Sequence, residues 1–130
     1  MKMESPNDLY NNAKTAVRIL KSDNHVLGDF NPKVMLVLGS GCGDVADNVE
    51  ATVRVDYGEI MGMPSSTVKG HAGKFIAGNY GGKDVVAFSG RNHFYEGNSA
   101  QQASYMIYVA HHFGAKVAIM TAAAGIAPDY

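Results

Sequence analysis

Four side chains of distinct chemistry crowd into GRNHFYEG, Gly90 to Gly97: Arg91, His93, Tyr95 and Glu96. An arginine's planar fork of donors grips a phosphate or carboxylate through two parallel hydrogen bonds. His93 can donate to the same anion, and Glu96 can accept from a histidine ring and set its tautomer. Tyr95 adds a flat apolar face ending in a hydroxyl, which suits a sugar. His71, in KGHAGK, offers a further donor. GSGCG, Gly39 to Gly43, supplies backbone N–H groups free of side chains together with the Ser40 hydroxyl. TAAAG, Thr121 to Gly125, supplies more backbone N–H groups, and both runs suit an anion held close to the main chain. The sum is a pocket for a small oxyanion beside a polar group the size of a sugar.

Each piece taken alone has a plainer reading. GSGCG can be only a tight turn after a strand, Arg91 a surface ion-pair residue, and Tyr95 a half-buried packing residue. No Gly-Lys-Ser/Thr follows GSGCG, so it is not a Walker loop, and Asp44 stands where a dinucleotide fingerprint needs its third glycine. His71, His93 and Glu96 have no recognised metal-ligand spacing, and no metal is expected. His111 and His112 are adjacent on a predicted helix and cannot share one ion from one face; His25 is likewise read as structural. It is the co-occurrence of the loops that favours the anion.

Elements must bring these loops together. SPNDLYNNAKTAVRILKSD starts with a helix signal: Ser5 as cap, Pro6 where a missing N–H costs nothing, and Asp8 in the first turn. Leu9, Ala13, Ala16, Val17 and Leu20 then recur at helical spacing. Val34 to Leu38 is a continuous apolar run, as expected of a strand buried on both faces of a parallel sheet. DVADNVE reads as a short helix and ATVRVDYGEI as a strand entering a loop. The strand around KFIAGNY turns at Gly81-Gly82 into a second hairpin arm, Val85 to Phe88. NSAQQASYMIYVAHHFG is a helix capped by Asn98 or Ser99 and stopped by Gly114, with Ala103, Met106, Ile107, Ala110 and Phe113 as its expected inner face. AKVAIMTAAAG is expected to be another buried strand. Strand, helix, strand from Asp84 to Thr121 is a crossover unit that favours parallel pairing. In open α/β sheets ligands gather outside the carboxyl ends of the strands. GSGCG, GRNHFYEG and TAAAG are therefore expected at one edge, with KGHAGK bending over them.

Composition excludes several function classes. The chain has 130 residues, 46% of them apolar and 18% charged, with a formal net charge of -1. These are values of an ordinary globular domain, and no global field draws it to nucleic acid or an anionic membrane. A single cysteine, Cys42, rules out an intrachain disulfide and suits a reducing compartment, so the cytoplasm is expected. MKMESPNDLYNNAK lacks the apolar core of a secretory signal. VAIMTAAAGIA, Val117 to Ala127, is too short to span a bilayer. With no repeat or linker, one domain is the economical reading. The lack of a closing helix after the last strand makes a piece of a longer chain the expectation.

GSGCG, DYGEI, STVKGHAGK, GRNHFYEG and TAAAG, in this order and spacing, resemble the trimeric-type purine nucleoside phosphorylases. The resemblance covers nearly the whole chain. It implies a nucleoside phosphorylase-like α/β fold, with a mixed, partly parallel sheet flanked by helices, and residues 1–130 as the N-terminal portion of one such domain. It implies cleavage of a purine nucleoside by orthophosphate to free base and ribose 1-phosphate, in a homotrimer, with phosphate as co-substrate and no cofactor. By motif position, Ser40, His71, Arg91, His93 and the backbone of Ala123 would hold phosphate. Tyr95 would lie against the ribose, and Glu96 would brace His93. The chain departs from the family pattern at Cys42 (usually leucine), Asn92 (phenylalanine), Ala122 (asparagine) and Ile126 (glycine). The residues that read the purine belong to a part of the family pattern beyond this sequence. A non-catalytic anion-binding or assembly module of the same descent and a methylthioadenosine phosphorylase are the alternatives. A dinucleotide-binding domain ranks behind both.

Overall fold

A computed structural model describes residues 5–39, 42–63, 73–90 and 99–121. Helix α1, Pro6–Asp23, begins at Ser5, whose Oγ accepts from the Asp8 N–H at 3.1 Å while the Asp8 carboxylate accepts from the Ser5 N–H at 3.2 Å. This reciprocal capping box satisfies donors that a helix start otherwise leaves orphaned. The expected stripe of Leu9, Ala13, Ala16, Val17 and Leu20 is buried.

Strand β1 spans Val34–Leu38, the short helix α2 Gly43–Asn48 and strand β2 Glu50–Asp56. A single 3₁₀ turn, Tyr57–Glu59, follows β2. Strands β3, Lys74–Tyr80, and β4, Lys83–Ser89, form the expected hairpin. Its turn glycines, Gly81 and Gly82, have φ of +61° and +88°, which side-chain-bearing residues rarely adopt. Helix α3, Ser99–Phe113, stops before Gly114, and strand β5 covers Val117–Met120.

Among the described residues, five strands form one sheet in the order β2-β3-β4-β1-β5. β1 runs parallel to both β4 and β5, while β2, β3 and β4 pair antiparallel. The sheet is therefore mixed and partly parallel. The crossover from β4 through α3 to β5 places β1 between its two strands.

Alternation along the strands makes two apolar layers. Met35, Val37, Phe75, Ala77, Val86 and Phe88 face α1 and α3. Leu36, Leu38, Ile76, Val85 and Ala87 face the other way, with Ala46 of α2. β1 is thus buried on both faces, as its unbroken apolar run implies.

Two expectations fail. Ile107 is 45% exposed, and the inner face of α3 is made by Tyr105, Met106, Val109, Ala110 and Phe113. Spacing gives the period of a helix but leaves its rotation uncertain by one position, and the larger buried side chains settle it. β5 is exposed along its length rather than buried, with Val117, Ile119 and Met120 each half accessible. It ends the sheet and packs through its hydrogen bonds to β1, so its apolar composition reports the strand type and not its cover.

Candidate functional site

The register brings four loop roots to one sheet edge. Leu38 of β1 and Lys74 of β3 both pair with Ser89 of β4, and Val37 pairs with Met120 of β5. Gly39, Gly73, Gly90 and Thr121 therefore lie side by side at the carboxyl ends of the three parallel strands. This is the edge where open α/β sheets place ligands.

Side chains lock these roots to one another. The Thr121 hydroxyl donates to the Val37 carbonyl at 2.9 Å, accepts from the Gly39 N–H at 2.9 Å, and takes a longer contact from Cys42 Sγ at 3.5 Å. One side chain thus joins the end of β5 to Gly39 and Cys42, the residues on either side of positions 40–41. The leucine usual at Cys42 could not make the sulfur contact. Gly90 N–H donates to the Leu38 carbonyl at 3.2 Å, which joins the end of β4 to the end of β1.

Tyr57 joins the other two. Its backbone N–H donates to the Gly73 carbonyl at 3.0 Å, and its phenol donates to the Gly90 carbonyl at 2.6 Å. The ring is 2% exposed and packs against Phe88. Burial pushes the phenol well above the ordinary tyrosine range, which further favours the protonated form that donates to Gly90. Beside this junction, Lys74 pairs with Asp56 across β2 and β3 in an exposed contact of small energetic weight. Tyr105 of α3 donates to the Met61 carbonyl, bracing the chain just before residue 64.

The seven expected site residues, Ser40, His71, Arg91, His93, Tyr95, Glu96 and Ala123, lie outside the described residues. Ser40 and Arg91 are one peptide bond from Gly39 and Gly90, and His71 and Ala123 two residues from Gly73 and Thr121. Sequence reasoning assigned no role to Tyr57 or Thr121. Their only signal was membership of DYGEI and TAAAG. A hollow of about 450 Å³ between α1 and the end of α3, lined by Lys14, Arg18, Lys21 and His112 among others, is a separate feature. Among the described residues no helix is long and apolar enough to cross a membrane.

Comparison with known proteins follows the same lines. Residues 26–130 match the sequence profile described as "Phosphorylase superfamily". Purine nucleoside phosphorylase 1 of Bacillus subtilis is 43% identical over 95 residues, covering 73% of this chain and 35% of that protein. The purine nucleoside phosphorylase of Mus musculus is 35% identical over 103 residues, 78% of this chain and 36% of the mouse protein. A solved purine nucleoside phosphorylase of Schistosoma mansoni superposes with a TM-score of 0.71 at 31% identity, over 85% of this chain and 39% of its own. A purine nucleoside phosphorylase solved in complex with ribose 1-phosphate gives the same TM-score, identity and coverage, 0.71, 31%, 85% and 39%. The chain spans about a third of the length of the curated relatives it matches.

Proposed function

Because this chain belongs to the phosphorylase superfamily, we propose that it carries the phosphate site and part of the ribose site of a purine nucleoside phosphorylase. Residues 1–130 are read as the N-terminal portion of one catalytic domain. The observation that supports this reading is the convergence of Gly39, Gly73, Gly90 and Thr121 at one sheet edge. Each is the root of a loop that bears an expected phosphate ligand.

In this reading Ser40, His71, Arg91, His93 and the Ala123 backbone bind orthophosphate. Tyr95 lies against the ribose, and Glu96 accepts from the His93 ring and fixes which nitrogen faces the anion. As the purine leaves, C1′ of the sugar becomes oxocarbenium-like, as in glycoside hydrolysis. The phosphate dianion stabilises that charge and then attacks the carbon, giving free base and ribose 1-phosphate. Catalysis is chiefly positioning and electrostatics, with no cofactor. Assembly as a homotrimer in the cytoplasm belongs to the same proposal.

The deciding experiment is phosphate-dependent release of hypoxanthine from inosine, on protein of known intact mass. Release supports the reading, and its absence with phosphate still bound moves it to a non-catalytic anion-binding module. Within the first, Arg91→Ala is expected to weaken phosphate binding by roughly 10- to 100-fold, from the loss of charge-assisted hydrogen bonds. Nucleoside affinity should change far less, and calorimetric titration with each ligand checks the difference.

A further inference from the structure

We infer that Tyr57 is a positioning residue for the phosphate site: it holds the roots of two loops in one register without touching the anion. The inference rests on the phosphorylase reading above. Tyr57 leaves β2 in a single 3₁₀ turn and reaches two loop roots that are distant in sequence. Its main chain holds Gly73, the last residue before β3, and its phenol holds Gly90, the first after β4.

The contact is too close to be incidental packing. A Cβ on Gly73 would fall 2.0 Å from Cε2 of Tyr57, and one on Gly90 would fall 3.3 Å from the Gly73 Cα. Ring and two glycine backbones thus form one three-way junction. Phenylalanine would fill the same volume. The hydroxyl is buried, and a buried hydroxyl is costly unless bonded. Its partner here lies outside the sheet ladder. The Gly90 carbonyl belongs to the planar peptide unit that leads into Arg91. Gly90 sits at φ +93°, a conformation glycine tolerates and does not by itself enforce. With the Gly90 N–H held by Leu38 and its carbonyl by Tyr57, both polar groups of that glycine are fixed. Through Gly73, the same side chain's residue fixes the return of the segment containing His71. Two cationic or donor groups from separate loops converge on one anion only if their roots keep a constant separation.

The test compares the full chain with Tyr57→Phe and with Val109→Ala, a control that opens a cavity in the buried face of α3. Dissociation constants for inorganic phosphate come from calorimetry, melting temperatures from circular dichroism, and loop protection from amide hydrogen exchange. Tyr57→Phe is expected to weaken phosphate binding about tenfold and to speed exchange in segment 91–98, with segment 64–72 changed less because its tie at Gly73 is to the Tyr57 main chain. Val109→Ala is expected to lower the melting temperature more, with phosphate affinity unchanged. Phosphate affinity within twofold of wild type in Tyr57→Phe overturns the inference. So does equal weakening in Val109→Ala, which would make the effect one of stability alone. No phosphate uptake by the wild-type chain overturns the phosphate site itself and the role of Tyr57 with it.

Discussion

At the scale of single residues, the glycines and hydroxyls at the sheet edge set the sharpest demands. A methyl group added at Gly73 collides with the Tyr57 ring, which is buried against Phe88 and has nowhere to retreat. Gly73→Ala is therefore expected to destabilise the chain by about 1–3 kcal/mol, the usual cost of overpacking, read as a shift in the urea midpoint. Thr121→Val keeps the shape of its side chain but strips the Gly39 N–H of its acceptor and the Val37 carbonyl of one donor. A loss of about 1 kcal/mol is expected for the lost bonds, since the Gly39 N–H is only part-buried. Thr121→Ser, which restores the hydroxyl, should recover most of it. Urea unfolding of the two variants side by side checks this, and a Thr121→Val midpoint equal to wild type would show that the hydroxyl does not tie β5 to the first loop.

At the scale of elements, α1 and α3 carry consequences of their own. The Ser5–Asp8 capping box makes Ser5→Ala cost about 1 kcal/mol, measurable as a lower melting temperature. Where the two helices meet, the His112 ring lies 4.5 Å from the Tyr10 ring, and its Nε2 lies 3.1 Å from the Tyr10 carbonyl. Burial lowers the His112 pKa; the carbonyl opposes this, and His111 and Lys14 add to the lowering. A histidine whose pKa falls on folding is protonated first in the unfolded chain. Its contribution is fully present above the ordinary histidine range and shrinks as pH falls through about 6.5. The urea midpoint is therefore expected to decline from pH 7.5 to 5.5, with a shallower decline in His112→Gln. Equal slopes would remove His112 from the account.

At the scale of the whole molecule, the sheet has one layer sealed by α1 and α3 and another covered in part by α2, but its β5 edge is open. Val117, Ile119 and Met120 are 54%, 50% and 51% exposed. Exposed apolar edge strands pair with other chains unless charge interrupts them. The 130-residue chain is expected to show concentration-dependent association in sedimentation velocity, and Ile119→Lys to suppress it. Association unchanged by Ile119→Lys would place the contact elsewhere.

The local chemistry of the chain was enough for much of this. Ser5, Pro6 and Asp8 start α1 because a helix end leaves donors that only nearby groups can meet, and those groups are three residues apart. Gly81-Gly82 makes the hairpin because the turn needs positive φ at both positions. Val34 to Leu38 is buried on both faces because it is apolar without alternation. The segments that carry the candidate site stood out for the same reason, as runs of small and polar residues expected next to strands; their own residues lie outside the described ones. That GSGCG, GRNHFYEG and TAAAG start from one edge was expected from the crossover unit, and Gly39, Gly90 and Thr121 do lie together there. Which side chains tie these roots was not legible, because they become neighbours only through strand order and register. Ile107 and β5 were misread because periodicity and apolarity report what a residue prefers, whereas exposure depends on which neighbours arrive. Tyr57 bonds to Gly90 across 33 residues and Thr121 to Gly39 across 82. Contacts of that range have no local signature, so only the folded sheet could show which side chains tie Gly39, Gly73, Gly90 and Thr121 together.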